Sequence, residues 1–177
     1  MTYLTFDNLT NQSFIKAETF NLSLSSRTYV EKMVFLSYRR EDKQWVAGIV
    51  RFLKSLGISV YVDYLDETLE DKASDAVAMT LRSRISKCSK FICLATSNSS
   101  KSKWMPWELG LGDRIVNYLN VAMLPLTNDP NQWGDQEYGN IYGKVTSNYS
   151  YSVSDSNDWY LTYPNGNKVK LKDWLNN

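Results

Sequence analysis

Residues 33–62 decide the fold, and their sequence is MVFLSYRREDKQWVAGIVRFLKSLGISVYV. The run Met33–Leu36 is short and apolar, as in a parallel strand that is covered on both faces. After a polar turn, apolar residues recur at helical spacing until Gly57 ends the helix; they are Trp45, Ile49, Phe52, Leu53 and Leu56. Residues 58–62 are rich in β-branched and aromatic side chains, which favour a second strand.

The same alternation continues towards the C-terminus. The spacing of four apolar residues predicts a second helix: Ala76, Val77, Leu81 and Ile85. Residues 91–95 and 121–126 are apolar runs typical of buried strands, and between them a Ser-rich loop, 96–103, precedes a helix from about Met105 to Tyr118. Because strands and helices alternate over short links, the crossovers are expected to be right-handed and the strands parallel. The sequence therefore predicts an α/β fold with a central parallel sheet and helices on both faces.

Two regions flank this predicted core, which spans residues 33–127. Residues 1–32 are polar and weakly patterned, and they form an N-terminal extension whose elements the sequence does not place. Residues 128–177 hold half of the tyrosines and half of the glycines, so they are not expected to continue the alternation. Within them, residues 159–163 and 168–171 predict a hairpin that turns at Asn165–Gly166, and residues 172–175 are expected to pack back onto the domain. This aromatic-rich region completes or decorates the core.

Composition excludes several kinds of chemistry. Histidine is absent, and there are only two cysteines. Ser-His-Asp and Cys-His catalysis and His-ligated zinc are thereby excluded, so no metal is expected. Cys93 lies in an apolar run, where a reduced and packed thiol is expected, and nothing indicates a disulfide framework.

Charge and hydropathy limit the partners. Lys and Arg number 20 against 19 Asp and Glu, which gives a net charge of +1. This balance argues against nucleic acid or membrane binding through bulk charge, although it leaves room for a local basic patch. The N-terminus lacks the pattern of a signal peptide, and no apolar stretch approaches the ~20 residues that span a bilayer. We therefore expect a cytoplasmic protein without nucleic-acid or membrane partners.

Ligands of parallel α/β sheets bind outside the carboxyl ends of the strands. Three polar segments follow predicted strands at that edge, at residues 37–42, 63–72 and 97–108. In the first, Arg39 and Arg40 come directly after a buried strand, so a guanidinium could face a phosphate. The segment equally fits a solvated turn in which Asp42 caps the following helix, and the sequence leaves both interpretations open.

The third segment carries Glu108 in the first turn of a predicted helix. Pro106 suits that turn, and Trp104 lies four residues before Glu108, so the two can share one side of the helix entrance. A structural interpretation is also open, in which the acid favours the helix dipole and the tryptophans belong to the core. A glycine-rich phosphate loop is absent, because Gly110 and Gly112 come after the helix has started.

Together these segments resemble the TIR (Toll/interleukin-1 receptor-like) family. Residues 34–40 (VFLSYRR) are similar to its first box, and residues 56–63 (LGISVYVD) resemble its second strand and the loop that follows. Ser102, Trp104 and Glu108 resemble the pattern of TIR domains that cleave NAD⁺, with Met105 where many members carry a cysteine. The resemblance covers residues 33–126.

The resemblance implies a flavodoxin-like TIR fold and an NAD⁺ nucleosidase or ADP-ribosyl cyclase with Glu108 as its catalytic carboxylate. Breaking the nicotinamide glycosidic bond passes through an oxocarbenium-like centre, whose charge a carboxylate can stabilise. NAD⁺ is then the substrate, and no further cofactor is implied. Six more residues are implied around it: Tyr38 and Trp104 against the nicotinamide or ribose, Arg39 or Arg40 on the pyrophosphate, and Ser37 and Asp63 as polar contacts.

Stand-alone bacterial TIR proteins, as in Thoeris anti-phage systems, are similar in plan. That similarity implies a cyclic or otherwise modified ADP-ribose signal that reaches a separate effector, and self-association through TIR surfaces. The alternative is a non-catalytic TIR interaction module that assembles through residues 63–72 and adjacent helices, but the spacing of Trp104 and Glu108 favours the enzyme. A flavodoxin-like phospho-acceptor or nucleotide-binding domain is disfavoured, because Ser37 and Thr96 stand where acidic strand ends would be expected.

Overall fold

The structure is a computed structural model that describes residues 1–10, 33–62, 75–102, 104–134, 138–148 and 158–177. Within these residues eight strands form one sheet. They are β1 (Leu4–Thr5), β2 (Met33–Ser37), β3 (Ser59–Val62), β4 (Lys90–Ala95), β5 (Val121–Thr127), β6 (Gly143–Ser147), β7 (Trp159–Thr162) and β8 (Lys168–Lys170). Asp63 and the rest of the predicted acidic loop lie outside the described residues.

Five α-helices accompany the sheet in the part of the chain that the structure describes. They are α1 (Phe6–Thr10), α2 (Lys43–Ser55), α3 (Asp75–Ile85), α4 (Met105–Val116) and α5 (Leu171–Asn176). Among the described residues no helix combines the length and apolar character needed to cross a membrane.

The sheet has the strand order β3-β2-β4-β5-β6-β7-β8, with β1 paired to the end of β5. Strands β2 to β6 are parallel to their neighbours, whereas β7 and β8 are antiparallel. Counted along the chain, the five long parallel strands take the spatial order 2-1-3-4-5, which is the flavodoxin-like arrangement. The predicted α/β fold is confirmed. The order reverses between β2 and β4, and that switch point is where such sheets bind ligands.

Helices cover the two faces of the sheet and define two buried clusters. One cluster joins α1, α2 and α5 to the sheet through residues such as Leu9, Ile49 and Trp174. The other joins α3 and α4 through residues such as Leu81 and Leu109. Burial of apolar side chains on both faces explains why the central strands are continuous apolar runs.

The predicted helix ends are close to the observed ones, and glycine or asparagine geometry sets them. Gly57 has a φ of 85° just after α2, a conformation that glycine adopts without strain and that stops the helix as predicted. The fourth helix ends at Val116, two residues earlier than the predicted Tyr118, because Asn117 has a φ of 75°. Trp45, predicted to face the core, is half-buried and packs on Phe6, with ring centroids 4.7 Å apart.

Both flanking regions contribute strands to the sheet. The N-terminal residues, which the sequence did not place, form β1 beside Leu126 and Thr127. Strand β6 extends the parallel sheet beyond residue 127, but no helix of the described residues separates it from β5, so the strand–helix alternation does not continue, as expected. The predicted hairpin is confirmed as β7 and β8, with Gly166 at a φ of 85° in its turn, and α5 packs back through Trp174 and Leu175.

Replacing Gly112 by alanine is expected to lower the free energy of unfolding by about 1–3 kcal/mol. A methyl group on Gly112 would stand 2.6 Å from Cδ2 of the buried Phe91 ring, which is stacked on Phe35 at 5.3 Å. The control is Gly110→Ala on the exposed side of the same helix, where a methyl group meets nothing within 4 Å. That change should stabilise by about 0.5–1 kcal/mol through helix propensity. Urea denaturation measures both, and equal effects of the two changes would contradict the packing argument.

Candidate active site

The switch point of the sheet brings two loops together. Residues 38–42 follow β2 and residues 96–104 follow β4, and these two strands are neighbours with Ser37 in register with Cys93. Because parallel strands end at the same edge, the loops lie side by side there. Helix α4 starts from the second loop and carries Glu108 in its first turn, as predicted.

Ser37 and Glu108 meet at this edge. The hydroxyl Oγ of Ser37 donates a hydrogen bond of 2.6 Å to Oε2 of Glu108. Ser37 is buried and Glu108 half-buried, so the carboxylate is held by the end of β2 and still reaches the surface. A short bond to a charged oxygen is a strong orienting contact.

The start of α4 is fixed by local contacts. The backbone N–H of Met105 donates to Oγ of Ser102 at 3.1 Å, so a serine satisfies a donor that the helix leaves unpaired. Pro106 occupies the first turn, as predicted. The backbone N–H of Glu108 donates to the Trp104 carbonyl at 2.9 Å. These contacts set the direction in which the Glu108 side chain leaves the helix.

A buried carboxylate, Asp42, ties the two loops. It is 1% exposed and accepts hydrogen bonds of 2.7 Å from Thr96 Oγ1 and from Asn98 Nδ2. Asp42 precedes α2, but its side chain makes no capping hydrogen bond, so the capping interpretation of this residue is wrong. Ser99 Oγ adds a contact to the Leu94 carbonyl at 2.9 Å, which closes the loop onto β4.

The two arginines differ in their surroundings. Arg39 forms an ion pair with Glu41 at 2.7 Å and donates to the backbone carbonyl of Asn98, also at 2.7 Å. That pairing with Arg39 is the main cause of the lowered pKa of Glu41. Arg40 is exposed in the following 3₁₀ turn. Arg39 therefore links the loops, while Arg40 is turned to solvent.

Two indoles flank the turn that carries Glu108. Trp104 is half-buried against the α3–α4 cluster, and its ring meets Trp107 edge-on with centroids 5.6 Å apart. Trp107 is 36% exposed, and the guanidinium of Arg82 lies 5.8 Å from its ring centroid. An aromatic wall of this kind suits a flat heterocycle.

The structure brings together some of the predicted site residues and separates others. Ser37, Arg39 and Trp104 share the edge with Glu108. Tyr38 is buried in the other cluster, with the residues of α2. Thr96 and Asn98, which bind Asp42 at this edge, were not predicted as site residues, although their position just after a buried strand was an available signal.

The buried thiols are unsuited to nucleophilic chemistry. Burial raises the pKa of the Cys88 thiol to about 11. Burial and, second, the charge of Glu108 raise the pKa of the Cys93 thiol to about 12. Because the thiolate is the nucleophile, neither residue is reactive near neutral pH.

Native protein is therefore expected to resist alkylation by iodoacetamide at pH 7.5. Both cysteines are free and buried, so two labels should appear only after unfolding in urea. Intact-protein mass spectrometry before and after unfolding measures the difference. Rapid labelling of Cys93 in the native protein would show that the thiol beside Glu108 is accessible and activated.

Comparisons with known proteins identify the family of this chain. The family model of the TIR domain matches residues 34–148. A Bacillus cereus (strain MSX-D12) protein named "Probable 3′ cyclic ADP-D-ribose synthase" is 31% identical over 146 residues, which cover 80% of this chain and 74% of that protein. A Cytobacillus dafuensis protein named "Putative cyclic ADP-D-ribose synthase" is 23% identical over 116 residues, which cover 56% of this chain and 31% of that protein.

Among solved structures, the 2-deoxyribosyltransferase of Bacillus psychrosaccharolyticus matches 67% of this chain and 93% of its own, with a TM-score of 0.46 and 14% identity. The family is assigned from the family model and the Bacillus cereus relative. The predicted resemblance is confirmed by the match of the family model over residues 34–148 and by the Bacillus cereus relative. The chain belongs to the TIR domain family.

Proposed function

We propose that the protein cleaves NAD⁺ at the nicotinamide glycosidic bond and makes a cyclic or otherwise modified ADP-ribose, with Glu108 as the catalytic carboxylate. The observation that carries the proposal is the 2.6 Å hydrogen bond from Ser37 to Glu108. It fixes a carboxylate at the switch point, where flavodoxin-like sheets bind ligands. The names of the two relatives support the same chemistry.

The proposed reaction breaks one bond and uses one carboxylate. The bond between the ribose carbon C1″ and the nicotinamide nitrogen breaks, and its electron pair leaves with nicotinamide as a neutral molecule. The ribose carbon acquires oxocarbenium character, and the Glu108 carboxylate stabilises that positive charge. Ser37 positions the carboxylate through Oε2. The step calls for no histidine, which fits the composition of the chain.

Neighbouring residues complete the proposed pocket. Trp104, beside the Glu108 turn, would contact the nicotinamide or its ribose. Arg40 is exposed on the adjacent loop and is the better placed arginine for the pyrophosphate, because Arg39 already pairs with Glu41 and Asn98. Tyr38, which is buried with the residues of α2, is left out of the proposed pocket, and Asp63 remains a proposed polar contact.

The second half of the reaction decides the product. A hydroxyl of the same molecule that attacks C1″ loses its proton and closes a ring, whereas water gives linear ADP-ribose. The synthase names of the relatives support ring closure. We further propose that the product is a cytoplasmic signal to a separate effector in anti-phage defence, made by self-associated TIR domains.

Product analysis tests the activity. The purified chain at high concentration, with and without a crowding agent, is incubated with NAD⁺ and followed by liquid chromatography and mass spectrometry. We expect stoichiometric nicotinamide and an ADP-ribose product, whose mass is 18 Da lower for a cyclic than for a linear form because water is not added. Absence of nicotinamide under forced self-association would favour the interaction module instead.

A further inference from the structure

One face of β6, β7 and β8 concentrates lysine side chains. Residues paired across neighbouring strands point to the same side of a sheet. The strand register therefore gives two rows on this face: Lys144, Thr162 and Lys168, and next to it Thr146, Tyr160 and Lys170. Three lysines and a tyrosine lie together on three short strands, although the chain as a whole is nearly neutral.

The opposite face of the same strands has a different character. The alternating residues Val145, Trp159 and Leu161 are buried in the cluster with α2 and α5. The face with the lysines lies on the α3–α4 side of the sheet, as Tyr142 at the start of β6 shows by its place in that cluster. The strands are therefore apolar on the face covered by α2 and α5 and polar on the other, as is common in antiparallel sheets.

A cavity of about 450 Å³ lies along this polar face. Its lining includes three tyrosines, one lysine and two threonines: Tyr3, Tyr142, Tyr163, Lys144, Thr146 and Thr162. Met1 near the N-terminus and Pro164 and Gly166 of the hairpin turn also line it. Small-molecule sites have about this volume and combine aromatic walls with a few polar groups.

Local contacts hold the lysines over aromatic rings. The ammonium of Lys144 donates to Asn140 at 3.0 Å and lies 4.8 Å from the Trp133 ring centroid. The ammonium of Lys168 lies 6.0 Å from the Tyr160 ring centroid. Among the described residues, the carboxylate of Asp113 reaches the wall, where it accepts a 2.9 Å hydrogen bond from the Tyr142 hydroxyl. Lys144 lines the cavity, and Lys168 and Lys170 lie on the same face of the strands outside its lining.

We propose that this face is a second ligand site, which binds a free nucleotide. Ammonium groups attract phosphate oxygens, and tyrosine rings offer flat surfaces for a base. The bounded cavity fits one small ligand better than a continuous strand of nucleic acid. The site is distinct from the Glu108 pocket, because β6 is three strands from β2, about 14 Å at the usual strand spacing. It does not depend on the proposed NAD⁺ cleavage.

Calorimetric titration with AMP, adenosine and a thymidine octanucleotide tests the site. The proteins compared are the unmodified chain, the double variant Lys168→Gln/Lys170→Gln, Lys144→Gln and the control Lys54→Gln on α2. Residues 54, 168 and 170 are exposed, so their replacement should leave the fold intact. We expect AMP to bind the unmodified chain and the control alike, and adenosine to bind at least roughly tenfold more weakly. AMP affinity should fall by roughly tenfold in Lys144→Gln, because a charge-assisted hydrogen bond to phosphate is lost, and by less in the double variant, whose lysines lie on the same face outside the cavity lining.

Each other outcome overturns the proposal. AMP binding that is equal in all four proteins would place the nucleotide elsewhere, for example at Glu108. Octanucleotide binding without AMP binding would make the face a nucleic-acid surface. An absence of AMP binding to the unmodified chain would leave the lysines as a solvated face. Nicotinamide release by the double variant is measured in parallel. An unchanged rate would show that this site is separate from the proposed catalytic one.

Discussion

Replacing Glu108 by glutamine is expected to lower nicotinamide release from NAD⁺ by roughly 10²–10³-fold, the usual effect of removing one preorganised electrostatic group. The amide has the same shape and its oxygen can still accept the hydrogen bond from Ser37, so the pocket keeps its geometry. What disappears is the negative charge that faces the developing cation. The measurement is the rate of nicotinamide release by chromatography at saturating NAD⁺.

The control for this change is Asp173→Asn, an equivalent loss of charge at an exposed position of α5. It should keep the full rate, and both variants should unfold at the same urea concentration as the unmodified protein. A Glu108→Gln protein that is folded and turns over NAD⁺ at the unmodified rate would remove Glu108 from the mechanism. Loss of activity together with loss of folding would be judged with Glu108→Asp, which restores the charge.

Replacing Asp42 by alanine is expected to lower the free energy of unfolding by about 2–4 kcal/mol. Both of its carboxylate oxygens are in use, since Oδ2 accepts from Thr96 and Oδ1 from Asn98. Without these oxygens, the Thr96 hydroxyl and the Asn98 amide lose a charged partner in the interior, since Asp42 is only 1% exposed. Urea denaturation measures the loss. Asp42→Asn retains one acceptor, so its free energy of unfolding should lie between those of Asp42→Ala and the unmodified protein.

The neighbouring residue supplies the comparison. Glu41 pairs with Arg39 at 2.7 Å, but its side chain is 52% exposed, so solvent screens the ion pair. Glu41→Ala should therefore cost at most about 1 kcal/mol. Equal losses at the two positions would mean that Asp42 does not hold the loops through its buried contacts.

Much of the fold could be predicted because local pattern and tertiary environment agree. The strands at Val34–Leu36 and Phe91–Ala95 are continuous apolar runs because both of their faces are buried. Gly57 and Gly166 mark the end of a helix and a hairpin turn, since each has a φ of 85°. Strand β6 escaped prediction, because its five residues include the half-buried Lys144 and the buried Thr146 and Ser147, and so form neither an apolar run nor a clear alternation.

Some residues of the site could be predicted from the sequence, and others could not. Glu108 in the first turn of a helix and Ser37 at the end of a strand follow from nearby residues alone. Asp42 could not be assigned, because its partners lie 54 and 56 residues away in the chain. The local pattern allowed Asp42 to be a helix cap, whereas in the structure its carboxylate binds residues of the other loop.

The sequence by itself determined strands β2 to β5, the helices between them and the polar groups at their ends, because those properties depend on periodicity within a few residues. Only the tertiary structure decided the partners. The bond between Ser37 and Glu108 joins residues 71 positions apart and exists because β2 and β4 become neighbours at the switch point. Likewise, the lysines on β6 and β8 share a face only because β7 pairs with both strands. Strand order depends on burying both faces of the sheet at once, and the pattern within a few residues does not specify how the strands achieve this.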